Sequence, residues 1–371
     1  MRRDDEVEEL TGPYGPFTLT ERAIQRLWAA GEVRSPLPSL SGALIEVVRP
    51  GDWNRGAGPD FKGAELLVNE VRMRGDVEIH LRCGDWQAHG HDLDPAYDGV
   101  ALHAVLMPEL RHVRTTSGRT PEAVLLLPHL PRDLEDLAEE DALLELRGRA
   151  REFVRDLRSA AADFPSALRE GAARRFTRKS GHAAVRLNEL GWEGACHALV
   201  VESLGAGGNR APMSELAMDL TPQAMELLGL DALYMRKCGR WRLRGLRPAG
   251  HPYRRLAQYL ELNRARPCWR EALLRWADRS HASPEVARRE LHEEVLARSM
   301  PEGRADTMAV DALLPLLHAT GRPLDRLWME WPPGNRPDEV DEARRLLGFV
   351  GRARNWEVQG LIGLMREASP R

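Results

Sequence analysis

The chain has 371 residues, 43% hydrophobic and 29% charged, with 53 basic and 56 acidic side chains and a formal net charge of −3. This is the composition of a soluble globular protein with room for two cores, and near-neutrality excludes a bulk polycation that coats nucleic acid along its whole surface. No apolar run reaches the roughly 18–20 residues of a membrane span, and the charged start MRRDDEVEEL lacks a signal peptide's apolar stretch, so no membrane partner and a cytoplasmic location are expected.

Residues 1–17 are acidic and then Gly/Pro-rich, and read as a loosely held arm. Thr18-Leu19-Thr20-Glu21 has capping-box spacing, and Ile24, Leu27 and Trp28 form a helical stripe that Gly31 ends. A strand is expected over Ala43–Val48 before Pro50-Gly51, a second over Ala64–Val68, and a third over Val71–Leu81 after an Asn69-Glu70 turn. On the third strand, period-2 alternation puts Asp76, Glu78, His80 and Arg82 on one face and Val77, Ile79 and Leu81 on the other. VALHAVLM reads as a fourth strand carrying His103, and His112–Leu127, broken at Ser117-Gly118, as a hairpin completing the sheet. From Pro131 the period changes from 2 to 3.6, with breaks at Pro165, Gly205–Gly208, Pro248–Pro252 and Pro332–Pro333. The expected class is α+β, with a mixed-sheet domain over 1–130 and a mostly helical domain over 131–371. Cys83, Cys196, Cys238 and Cys268 form no Cys-x-x-Cys pair and read as reduced core thiols.

Gly51–Val105 holds the densest ligand chemistry: Asp60, Glu78, His80, His89, His91, Asp92 and His103. One or two carboxylates from neighbouring strands suffice to hold a divalent ion such as Mg²⁺ against a phosphate, and Asp60 and Glu78 are placed to converge. His80, two residues after Glu78, shares its face and could orient a water. The competing expectation is a sheet-surface network in which Asp60 caps a turn and Glu78 pairs with Arg72, Arg74 or Arg82.

Pro59-Asp60 opening one strand and Glu78-Ile79-His80 on the next, after a helix and a strand, resembles the PD-(D/E)XK nuclease-like superfamily. That resemblance implies a restriction-endonuclease-like core and phosphodiester cleavage dependent on Mg²⁺ or Mn²⁺. The superfamily usually carries Lys where this chain has His80; Lys62 could supply the missing charge, and Glu21 or Glu46 a third carboxylate. The runs GDWNRGAGPDF, GDVEIHLRCGDWQAHGHDLDPAYDGVALHAV, LRPAGHPYRRLAQ and RNWEVQGLIGLM are similar to an uncharacterised bacterial family, domain of unknown function 2851.

His89-Gly90-His91 could bond a carboxylate, orient a phosphate, or supply a transition-metal pair, since imidazole with carboxylate suits Zn²⁺, Mn²⁺ or Fe²⁺. His103, inside an apolar strand, reads as a satisfied core histidine, and Trp53 and Trp86 as anchors of polar loops. In the second half, residues 236–279 hold thirteen Lys or Arg against three acids, and Arg247, Arg254 and Arg255 around a Pro-rich helix start could contact phosphates. Three functions remain open. The first is a divalent-metal-dependent nuclease using Asp60, Glu78 and His80, the second a non-catalytic nucleic-acid or protein-interaction module on the same fold, and the third a hydrolase of a small substrate at a His-rich site.

Overall fold

In the computed structural model, which describes residues 7–12, 15–54, 56–131, 133–146, 150–160, 163–205, 208–243, 246, 248–334 and 336–367, the first helix starts from a side-chain cap. Thr20, not Thr18, is that cap: its hydroxyl accepts the N–H of Ala23 at 3.1 Å and opens α1 (Glu21–Ala29). The expected N-terminal arm is in part a pair of strands, β1 (Val7–Gly12) and β2 (Gly15–Thr20), and residues 1–6 and 13–14 lie outside the described residues.

The chain divides into two compact units, one built mainly from residues 18–131 and the other mainly from 132–371. The first holds a mixed sheet. β3 (Leu37–Pro38), β4 (Leu44–Arg49), β6 (Phe61–Val68) and β7 (Val71–His80) pair antiparallel in that order, and β5 (Asp52–Trp53) pairs with β6. Beyond β7 the chain crosses over through a short helix, α2 (Asp85–Ala88), to β8 (Val100–Val105), parallel to β7, and then β9 (Glu122–Leu125), parallel to β8. The hairpin expected over 112–127 is therefore corrected: one strand forms there, and its partner is β8. The loop from Met107 to Pro121 returns the chain to the start of the sheet, which a parallel neighbour requires.

The sheet's two faces differ. Phe61 pairs with Val77, so both face the α1 side, where Ile24, Leu27 and Trp28 are buried and the Trp28 ring lies 6.4 Å from that of Phe61. The opposite face carries Asp76, Glu78 and His80. Beside it a second core gathers Cys83, Trp86, Tyr97, Val100, Val105 and Val113. Between Phe61 and Ala64 the β6–β7 register shifts: Gly63 takes φ +65°, which a side chain would resist, and its N–H donates to Asp76 Oδ1 at 2.9 Å.

The second unit is helical, as expected. Each predicted break falls at a helix boundary: Asp163 caps α5 (Phe164–Leu204) with Pro165 in its first turn, Gly205 ends it, and Pro252 opens a later helix, Pro252–Ala265. Within α5, Gly191 at φ +66° separates two helical stretches. Five aromatic side chains, Tyr259, Trp269, Trp276, Trp328 and Trp331, lie at 0–1% exposure in one core. Among the described residues no helix is long and apolar enough to cross a membrane. All four cysteines are free; Cys83 and Cys196 are buried, but Cys238 and Cys268 are exposed, which corrects the expectation of four core thiols.

Candidate metal centre

β7 ends in Glu78-Ile79-His80, and the parallel register sets His103 of β8 beside Glu78. Because paired residues share a face, Glu78, His80 and His103 point together, away from α1. Asp60, at the mouth of β6, is tied to this end of β7 twice. Its main-chain N–H donates to Glu78 Oε2 at 2.9 Å, and its Oδ2 accepts the N–H of Ile79 at 3.0 Å. Asp60, Glu78 and His80 are 7%, 2% and 1% exposed, so the two acids and the histidine converge in the interior instead of lying on a sheet surface. Arg72 pairs with Glu65.

The crossover brings two more imidazoles. Asp85 accepts the N–H of Arg82 and starts α2, which ends after one turn in a Schellman arrangement: the N–H of Gly90 donates to Gln87 O and that of His91 to Trp86 O. Gly90 sits at φ +72°, a conformation its lack of Cβ permits, and the reversal leaves His89 exposed and folds His91 inward. There His91 is 1% exposed, stacked on Tyr97 with centroids 3.7 Å apart and set edge-on to Trp86 at 5.4 Å.

The heteroatoms converge. His91 Nε2 lies 3.0 Å and His80 Nε2 3.6 Å from Glu78 Oε1, and His89 Nδ1 lies 3.3 Å from His80 Nε2. On its other nitrogen, His80 Nδ1 meets His103 Nε2 at 2.9 Å. Burial, with a smaller contribution from His91, pushes the pKa of His103 down to about 3, so this imidazole stays neutral. Glu78 is thus a buried carboxylate beside the imidazoles of His80 and His91, and a carboxylate in such a place is stabilised by a nearby cation. Nitrogen donors in this number suit a first-row transition ion, Mn²⁺ among them, better than Mg²⁺, which prefers oxygen.

A family model described as Protein of unknown function (DUF2851) matches residues 21–229, more than half of the chain. The chain belongs to that family. No curated protein and no solved structure matches it. The part of this DUF2851 chain that the family model covers runs from α1 through the whole sheet into the helical unit, and so contains every residue of the cluster.

Other candidates from the sequence fall elsewhere. Lys62 is exposed, opposite Asp52 of β5, just before the bulge at Gly63. Glu46 is exposed on β4, where its partner is Leu67, and Glu21 is half-buried in the first turn of α1. Arg254 is exposed, whereas Arg255 is buried with Nη1 donating to Gln258 Oε1 at 2.9 Å; Arg247 lies outside the described residues. Trp86 anchors its loop as expected, fully buried with Nε1 donating to Arg114 O at 3.1 Å. Two contributions went unread in the sequence, the stacking of Tyr97 and the hydrogen bond between His80 and His103. A lone histidine inside the otherwise apolar VALHAV was the available signal for the second.

Proposed function

We propose that this DUF2851 protein is a divalent-metal-dependent hydrolase of phosphodiester bonds, a nuclease or a diverged relative of one. The observation that carries the reading is the convergence of Asp60, Glu78 and His80 at the buried end of β7, beside two further imidazoles. Strand order supports it as well. A helix, an antiparallel meander β4–β6–β7 and a crossover to parallel β8 are compatible with the core that the sequence resemblance implies, in which Asp60 and Glu78 would be the acidic residues.

Glu78 and the imidazoles would hold the ion, which supplies Lewis-acid polarisation of a phosphate oxygen and acidifies water. The chain's own residues do the rest. Asp60 fixes the rotamer of Glu78 through its N–H, His103 orients His80, and Arg254, exposed in the first turn of its helix, is the candidate for phosphate contact.

A second reading is favoured by His80, which stands where the resembled superfamily usually carries Lys, and by the exposure of Lys62, the residue that would have to replace that charge. It is a binding module that has kept the fold and lost the chemistry. One experiment addresses both: purified protein incubated with single- and double-stranded DNA and RNA in Mn²⁺, Zn²⁺ or Mg²⁺. Cleavage that falls at least 100-fold in Glu78→Gln and Asp60→Asn supports the hydrolase, and cleavage unchanged in both variants refutes it. No cleavage, with salt-sensitive binding weakened by Arg254→Ala, favours the module.

A further inference from the structure

The distances within the cluster match the edges of a coordination polyhedron. Around an ion with ligand bonds of about 2.1 Å, neighbouring donors stand about 3.0 Å apart in octahedral and about 3.4 Å apart in tetrahedral geometry. Three of the cluster's edges, His91 Nε2 to Glu78 Oε1, His80 Nε2 to His89 Nδ1 and His80 Nε2 to Glu78 Oε1, are 3.0, 3.3 and 3.6 Å. The three histidine nitrogens all lie within 4.8 Å of one another. Each buried donor also has an outer partner that fixes its direction: the Asp60 N–H holds Glu78, His103 meets His80, and Tyr97 stacks on His91. Such outer partners are what a metal site needs in order to hold its ligands before the ion arrives.

We propose that His80 Nε2, His89 Nδ1, His91 Nε2 and Glu78 Oε1 are the protein ligands of a first-row transition-metal ion, and that Mg²⁺ is not its resident ion. The assignment rests on the metal dependence of the proposed activity and moves His80 from assisting a water to holding the ion. Ligation through Nε2 places the remaining His80 proton on Nδ1, where it is donated to His103 Nε2, so His103 is a positioning residue. The exposed member, His89, marks the side from which ion and substrate arrive, since Glu78, His80 and His91 are sealed at 1–2% exposure. The ion's charge would add to the stabilisation of the buried Glu78 carboxylate.

The test is metal uptake by tag-free full-length protein stripped with chelator, read by calorimetry with Zn²⁺, Mn²⁺ and Mg²⁺ and by visible d–d absorption with Co²⁺. One equivalent of Co²⁺ or Zn²⁺ is expected, unaffected by millimolar Mg²⁺. His89→Ala, at an exposed position, should keep the far-UV circular dichroism of the parent and weaken uptake at least about 10-fold, the scale seen when metal sites lose supporting groups. Uptake that is absent from the folded parent, or that survives unchanged in both His89→Ala and His91→Ala, overturns the assignment. Stoichiometric Co²⁺ uptake without cleavage of any nucleic acid would remove the phosphodiesterase reading and leave the site standing. Cleavage supported by Mg²⁺ in a protein that takes up neither Co²⁺ nor Zn²⁺ would do the reverse.

Discussion

The main-chain N–H of Asp60 meets the Oε2 of Glu78 at 2.9 Å, and both residues are buried. Glu78→Ala removes the acceptor and leaves that N–H unpaired in the interior, which costs about 1–3 kcal/mol in addition to lost packing. Glu78→Gln keeps an acceptor oxygen. In chelator, urea denaturation should therefore show Glu78→Gln close to the parent and Glu78→Ala clearly below it. Equal losses in the two variants would mean that the carboxylate's charge, and not this bond, joins the strands.

Gly90 turns the chain between two imidazoles at φ +72°, with nothing within 4 Å of where a Cβ would stand. Replacement by alanine meets no clash and loses only the left-handed backbone preference, about 1–2 kcal/mol. Because that turn aims both His89 and His91, Gly90→Ala should cost modest stability and a disproportionate share of Co²⁺ affinity. Gly90→Asn, which tolerates the conformation, should recover most of both. A Co²⁺ titration alongside a urea curve for each variant measures the split.

Periodicity made the meander legible. Alternation in VRMRGDVEIH and the Asn69-Glu70 turn fix β6 and β7, and with them the shared face of Glu78 and His80. What alternation cannot carry is an interruption of itself. Gly63 admits a bulge next to the exposed Lys62, and a one-turn helix closed by Gly90 brings His91 back to Glu78 across thirteen residues. Parallel pairing was equally hidden, because Ser117-Gly118 is a sound hairpin signal and the true partner of Glu122–Leu125 lies in β8. The cluster's residue types could thus be read in order, but their convergence depended on left-handed backbone turns that glycine favours.

In the helical unit, Gly360 of the helix Asn355–Glu367 lies close against α5: a Cβ there would stand 2.2 Å from the carbonyl oxygen of Leu168. That neighbour is backbone and cannot swing aside, so Gly360→Ala should force the helices apart and cost about 1–3 kcal/mol or more. Gly181, also within α5 and exposed, has nothing within 4 Å of its own Cβ position. Gly181→Ala should instead stabilise by up to about 1 kcal/mol through helix propensity. Opposite shifts of the urea midpoint test the packing argument, and matching shifts would reject it.

His197 gives the helical unit an acid-sensitive point. It is 3% exposed, its Nε2 donates to Leu220 O at 2.8 Å, and its Nδ1 accepts from the Tyr259 hydroxyl at 2.5 Å. Tyr259 keeps its proton, since burial pushes its pKa up to about 12. Burial holds the pKa of His197 down at about 4, against the ordinary value of 6.5 in the unfolded chain. Below pH 6.5 the unfolded state therefore takes up a proton that the folded state refuses. Stability from this residue is intact above pH 6.5 and declines as pH falls to about 4, by up to about 3 kcal/mol at 1.36 kcal/mol per pH unit. Urea denaturation at pH 7, 5.5 and 4.5 should show this decline, and His197→Gln, although less stable at pH 7, should show a shallower one. An unchanged slope in the variant would assign the acid sensitivity to other groups.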